Sequence, residues 1–233
     1  MTGQIRTVSR FEQSALLLCV PFLKWLNRRY SFGAFRFWLT RIIYKLPCYP
    51  ETRRKRIDFI LKYLPELKQV YWVGLPVLDI GCTDSLLLYE IAERRYSAHG
   101  LDMRDYQAEL PKNIEFFKND ITDPDLVKKV GKTFYAVIAT STIELVQASM
   151  YDEERKIEGF GDRKAIENIH KLMNDDGFFI LSVPTTYWRN INARGYSFLN
   201  FLALIQGLFI IIEVEHIGGH ICAVLAKIEM KED

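Results

Sequence analysis

The sequence has little cysteine and little histidine, and both are scattered. Its four cysteines, Cys19, Cys48, Cys82 and Cys222, form no C-x-x-C pair. That argues against a disulfide framework or a zinc ribbon and fits a reducing compartment. The four histidines are equally dispersed. His216 and His220 are four apart, but Gly218-Gly219 lies between them and takes them off one helical turn, so no metal site is expected. Long apolar runs are missing too. The two longest, 15–26 and 198–212, fall short of the ~20 residues a spanning helix needs. Pro21, Lys24, Asn200 and Gln206 interrupt them. No A-x-A-like site follows the N-terminal apolar stretch, so no cleaved signal is expected. Internal repeats and low-complexity tracts are also absent. What is left is an ordinary folded chain of 233 residues, long enough for one buried core plus an appendage.

Charge is unevenly spread. The net charge is only +2, but residues 1–56 hold twelve Lys/Arg and two acids, while the other 177 hold nineteen bases and twenty-seven acids. A basic head on an acidic body implies that the head meets something anionic. An acidic body excludes broad nucleic-acid binding.

Three helical pieces open the chain. Residues 11–27 are apolar nearly all round, with Pro21 as a kink. Residues 34–46 are amphipathic: Phe35, Trp38, Leu39, Ile42, Ile43 and Leu46 fill one side, and Arg36, Phe37, Arg41, Tyr44 and Lys45 lie on the other. The third helix spans about 51–64, carries the basic cluster Arg53-Arg54-Lys55-Arg56, and ends at Pro65. From Val77 the texture changes to short β-rich runs alternating with helical segments. Strands are predicted at 77–80, 98–101, 114–117, 134–139 and 178–183. Helices are predicted at 85–95, from Asp123 to about 130, and from the N-cap Asp162 to about 173, with Asp175-Asp176-Gly177 as the turn out. Alternation of this kind means βαβ units and a mostly parallel sheet. A helix near 197–206 then leads to two strands, about 208–215 and 221–229, joined at Gly218-Gly219. Strands so close must pair antiparallel. The expected architecture is an α/β doubly wound sheet over residues 71–233, preceded by a basic helical extension, 1–70.

In such a sheet the ligand lies at the carboxyl ends of the strands near the switch point. The informative residues therefore follow each strand: Asp79-Ile-Gly81-Cys-Thr83-Asp-Ser85, then Asp102, then Asp120, then Thr140-Ser-Thr-Ile-Glu144. An acid about twenty residues beyond a glycine turn has the spacing for a carboxylate that accepts hydrogen bonds from ribose hydroxyls. A dinucleotide would also need G-x-G-x-x-G, because its pyrophosphate touches bare backbone and a helix N-terminus. Only Gly81 is present, and Asp84 would repel a phosphate. An adenosine ligand without phosphate, bearing an amine and a sulfonium, suits this loop better than NAD.

These residues resemble the motifs of class I S-adenosylmethionine (SAM)-dependent methyltransferases. Val77-Leu-Asp-Ile-Gly-Cys resembles the first motif, V-L-D-[IV]-G-C-G. Gly100-Leu-Asp102 resembles the second, Phe117-Lys-Asn-Asp120-Ile the third, and Tyr135-Ala-Val-Ile-Ala-Thr-Ser the fourth. Ser141-Thr-Ile-Glu-Leu and Gly161-Asp-Arg-Lys-Ala resemble a subgroup with S-T-I-E-H and G-D-x-K-A motifs. The resemblance implies a Rossmann-like seven-stranded sheet of order 3-2-1-4-5-7-6 and SAM as cofactor. It further implies that Gly81, Cys82 and Thr83 lie against the methionine end, and that Asp79 supports that loop. Asp102 would hold the ribose, Met103 would pack on the adenine, and Asp120 and the backbone of Ile121 would read its edge. Thr140 and Ser141 would flank the sulfonium.

Two positions depart from the pattern: Thr83 stands where the family has its second glycine, and Leu145 where the subgroup has histidine. They motivate a second reading, a catalytically silent fold serving as a binding or membrane-associated partner. In the first reading the acceptor is a small molecule or a sugar, free or lipid-linked. Methyl transfer needs chiefly alignment and exclusion of water, plus a base where the acceptor is a poor nucleophile. Glu144 is the candidate base, although a carboxylate at a helix N-terminus is also favoured by the dipole alone. Tyr151, Arg163, Trp188 and Arg189 fall in the long stretches after the fourth and fifth strands, where acceptor pockets form. Residues 11–56 are the candidate contact with an anionic membrane, from a cytoplasmic location at its inner face.

Overall fold

The computed structural model of the chain describes residues 51–64, 74–82, 87–105, 110, 114–147, 160–185 and 193–228. The expected helices at 11–27 and 34–46 lie outside the described residues, as do Thr83, Tyr151, Trp188 and Arg189.

The elements in chain order are α1 (Glu51–Tyr63), β1 (Pro76–Ile80), α2 (Leu87–Glu93), β2 (Ser97–Asp102), β3 (Ile114–Lys118) and α3 (Leu126–Val130). They continue with β4 (Phe134–Thr140), a 3-10 turn (Ile143–Leu145), α4 (Gly161–Leu172), β5 (Met173–Pro184), α5 (Phe198–Ile205), β6 (Phe209–Ile217) and β7 (His220–Lys227). One seven-stranded sheet runs β3-β2-β1-β4-β5-β7-β6. The strands from β3 to β5 pair parallel, and β7 pairs antiparallel with both β5 and β6. This is the order the resemblance implies.

Central strands of a parallel sheet are covered on both faces, so they read as continuous apolar runs rather than alternations. β1 and β4 do so: Val77, Leu78, Ala136, Val137, Ile138 and Ala139 are all fully buried. One face packs Val137, Phe179 and Leu181 against α4 and α5. The other packs Val77, Ala136, Ile138 and Ile180 against α2 and against Phe59, Ile60 and Leu64 at α1. Helix α4 earns its place through Ala165, Ile166, Ile169 and Leu172, a stripe at helical spacing that is fully buried.

The structure corrects three local expectations. The helix expected from Asp123 begins only at Leu126. Asp123 instead forms a turn, its Oδ1 accepting from the Asp125 N–H at 2.9 Å, a local bond that competes with helix formation. Strand β5 starts at Met173, not Phe178; Met173 pairs with Phe134, and an irregularity absorbs the Asp175-Asp176-Gly177 segment. Asp162 is not the cap of α4. That place belongs to Phe160, without a side-chain cap bond. The Asp162 carboxylate lies inside, accepting from the Tyr196 hydroxyl at 2.9 Å and facing Arg194 Nε at 3.7 Å.

Candidate active site

The parallel register sets the ends of β1, β2 and β4 side by side: Ile80 pairs with Leu101 on one flank and Ala139 on the other. Beyond them opens a cleft of about 660 Å3, its mouth included, lined by Gly81, Asp102, Met103, Asp120, Ile121 and Ser141, together with Arg104, Asn119 and Thr142.

Gly81 turns the chain away from β1 with φ +76°, donating its N–H to Leu101 O at 2.8 Å. A Cβ there would lie 2.3 Å from Thr142 Oγ1. Thr142 fills that space because its hydroxyl ties two strand ends together, donating to Ile80 O at 3.0 Å and reaching Thr140 O at 3.3 Å. Gly81→Ala therefore meets both a left-handed backbone and a blocked Cβ. Chemical denaturation should show it less stable by roughly 2 kcal/mol, with weaker binding of S-adenosylhomocysteine. A variant as stable as the parent would show that the two strand ends move apart freely.

Asp102 ends β2 almost fully buried. Arg104 embraces it: its N–H and Nε donate to Oδ1 at 2.9 and 3.3 Å, and Nη2 to Oδ2 at 3.4 Å. Met103 is half-exposed above the cleft. The Asp120 Oδ1 accepts from the Thr122 N–H and hydroxyl, both at 2.8 Å, so this carboxylate closes its own turn at the cleft wall. Ile121 is buried, and Asn168 Nδ2 holds its carbonyl at 2.7 Å. Asp79 and Cys82 are buried behind the wall. Burial, and then the charges of Asp79 and Asp102, push the Cys82 thiol far up, so it stays protonated and inert. Thr140 Oγ1 is buried with no hydrogen-bond partner among the described residues. Ser141 takes φ +52°, and its Oγ accepts from Arg56 Nη1 at 2.5 Å.

Glu144 sits in the 3-10 turn just before Leu145 and Val146, which line the cleft. Only 4% of it is exposed, and its Oε2 has no hydrogen-bond partner among the described residues. Burial pushes its carboxyl up to about 8, opposed by its backbone hydrogen bond and by the charge of Arg56. Arg194 anchors the turn: its N–H donates to Glu144 O at 3.0 Å and its guanidinium to Val146 O.

Of the residues proposed for the acceptor, Arg163 points elsewhere. Its guanidinium donates to Leu204 O and Gln206 O at 2.8 and 3.0 Å and to Glu167 at 3.1 Å, tying α4 to the end of α5. Sequence reasoning passed over Arg104, Thr142 and Arg56. Arg104 had a local signal, since an N–H two residues beyond an aspartate is a common partner for it. Arg56 had none; its partner Ser141 lies 85 positions away.

The cleft fits SAM on its own chemistry. Bare backbone at Gly81 permits close approach, Ile80, Leu101, Ile121 and Met103 offer apolar walls, and Asp102 supplies an acceptor for hydroxyls and a negative charge for a cation.

A family model described as a methyltransferase domain matches residues 49–216. No curated protein matches the chain by sequence. Among solved structures, the 1,6-didemethyltoxoflavin-N1-methyltransferase of Burkholderia thailandensis, with bound 1,6-didemethyltoxoflavin and S-adenosylhomocysteine, superposes with TM-score 0.57 at 13% identity, over 97% of this chain and 94% of that one. The N-methyltransferase NodS of Bradyrhizobium japonicum WM9, in complex with S-adenosylhomocysteine, gives 0.57 at 12% identity, over 79% and 91%. A TehB-like SAM-dependent methyltransferase from Corynebacterium glutamicum gives 0.52 at 17%, over 84% and 97%. At such identities these structures speak for the fold, and the family match carries the activity: the chain belongs to the methyltransferase-domain family and is a class I SAM-dependent methyltransferase.

Proposed function

We propose that the enzyme methylates a hydroxyl or amine of a small molecule or sugar, free or lipid-linked, with Glu144 as the base that takes the acceptor's proton. The observation that carries this reading is the Glu144 carboxyl, buried beside the cleft wall and pushed up to about 8. SAM, when bound, supplies a methyl already activated on sulfur. The chain's own work is then alignment, exclusion of water and proton removal. Gly81, Asp102, Met103, Asp120, Ile121 and Ser141 line the cleft and orient the donor, with Asp79, Cys82 and Thr140 buried behind them. A carboxylate of matched basicity receives the proton as the new bond forms. Tyr151, Trp188 and Arg189 remain our candidates for the acceptor's other contacts. The test is transfer of labelled methyl from SAM to a panel of sugars, phenols and amines. Transfer by the parent and its loss in Glu144→Gln supports the reading; equal transfer by both overturns it.

The basic residues 11–56 fit an anionic surface, and we place the enzyme at the cytoplasmic face of a membrane on that ground. Each base near such a leaflet adds about 1 kcal/mol. Co-sedimentation with phosphatidylserine-containing vesicles at low salt is expected, and it should fade as salt rises. Absence of binding at low salt would remove the idea.

A further inference from the structure

Helix α1 precedes the first strand of the sheet, yet it delivers a side chain to the strands' carboxyl ends. Arg56 lies three and four residues before Phe59 and Ile60, and so on their side of the helix. Those two are buried in the sheet-facing core, which turns Arg56 toward the sheet as well. Its Nη1 donates to Ser141 Oγ at 2.5 Å and reaches Ser182 Oγ at 3.4 Å. Ser141 is cleft wall, held in a left-handed turn after β4. Ser182 is buried on β5, opposite Thr140 and Cys222. One guanidinium thus bridges a helix and two strand ends at the rim of the cofactor cleft.

Its charge reaches further. Glu144, His220 and Cys222 all feel Arg56. The other groups around Glu144 come from the segment after β5 and from α4. Tyr196 feels its charge, Arg194 holds its carbonyl through a backbone N–H, and Asp162 of α4 accepts from Tyr196 behind it.

We infer that Arg56 is a positioning residue of the methyl-transfer site: carried in on α1, it pins the Ser141 hydroxyl at the cleft wall, three residues before Glu144, and brings its positive charge to that turn. This rests on Glu144 being the base. A nearby cation favours the ionised carboxylate that can accept a proton. A guanidinium can bridge two hydroxyls at a fixed angle, whereas an ammonium keeps only the charge. Arg56→Lys therefore separates charge from geometry, and Ser141→Ala removes one hydroxyl without touching the charge.

The experiment follows the Glu144 carboxyl directly, by carbon-13 NMR titration of the full chain labelled at glutamate. Its signal is assigned by its loss in Glu144→Gln. In Arg56→Met the Glu144 midpoint should move up measurably; in Arg56→Lys and Ser141→Ala it should stay near that of the parent. Calorimetry with S-adenosylhomocysteine should show severalfold weaker binding in all three variants, because each breaks the Arg56–Ser141 hydrogen bond. Arg56→Gln, which drops the charge and keeps a polar side chain, gives the same titration test where Arg56→Met unfolds. A Glu144 midpoint unchanged in the folded, uncharged variant overturns the inference. A midpoint that moves while Glu144→Gln keeps full kcat overturns the assignment of Glu144 as base and leaves the Arg56 coupling standing.

Discussion

Asp102→Ala is expected to weaken binding of S-adenosylhomocysteine at least about a hundredfold, close to 3 kcal/mol. The carboxylate ends β2 with 5% exposure, and its backbone is fixed by the Asn119 N–H donating to its carbonyl at 3.0 Å. It cannot swing away, so its hydrogen bonds to a ligand are preorganised. Bonds to a charged group contribute roughly 1.5–3 kcal/mol each, and two ribose hydroxyls can both donate to one carboxylate. Alanine also leaves Arg104 at the cleft without the partner it grips through three hydrogen bonds. That cation would oppose the sulfonium of SAM but not the neutral thioether of S-adenosylhomocysteine. The variant should therefore lose more affinity for SAM than for the demethylated product. Calorimetric titration with both ligands reads the two losses. Affinities within threefold of the parent would place the ribose elsewhere.

The parallel units and the closing hairpin were legible from two independent signals, and the strand order from the family resemblance. Continuous short apolar runs and the helical stripes between them specify the parallel units, and Gly218-Gly219 between two β-rich runs specifies the hairpin. The residues that line the cleft were legible for a related reason: they stand at or just beyond the carboxyl ends of strands, where topology alone puts a ligand. What failed was local chemistry that tertiary structure redirected. Asp162 has every property of a helix cap, but the chain from Arg194 to Tyr196 returns over it and takes its carboxylate into the interior. Arg163 stands next to it on α4, but its guanidinium finds carbonyls at the end of α5. Thr142 carried no signal of its own within the Ser141–Glu144 motif. Its role as the bolt between β1 and β4 depends on Ile80, 62 positions away. Arg56 belonged, by composition, to a basic cluster. Only the packing of Phe59 and Ile60 shows that it faces inward while Arg53 and Lys55 remain exposed.

Glu144→Gln should divide activity from stability, because the same burial acts on both in opposite directions. Removing a base that abstracts the acceptor's proton lowers kcat roughly 100- to 10,000-fold. Affinity for S-adenosylhomocysteine should change little, since Leu145 and Val146, not Glu144, line the cleft. With the carboxyl pushed up to about 8, kcat/KM of the parent should climb with pH below 8 and level off above it, and the variant should lose that limb. Stability runs the other way. The folded-state value lies above the ordinary 4.5, so the folded protein holds a proton that the unfolded chain has released. That stabilisation is full below about 4.5, declines as pH rises, and is gone above about 8, a span worth on the order of 5 kcal/mol. Glutamine is always neutral and carries no such slope. Urea denaturation of the two proteins at pH 5 and pH 9 should therefore show the variant gaining on the parent at the alkaline end. A carboxylate kept buried at that cost is what a base of raised basicity requires. If the variant instead loses stability equally at both pH values and keeps its methyl transfer, Glu144 is a packing residue of the 3-10 turn and the proton leaves the acceptor by another route.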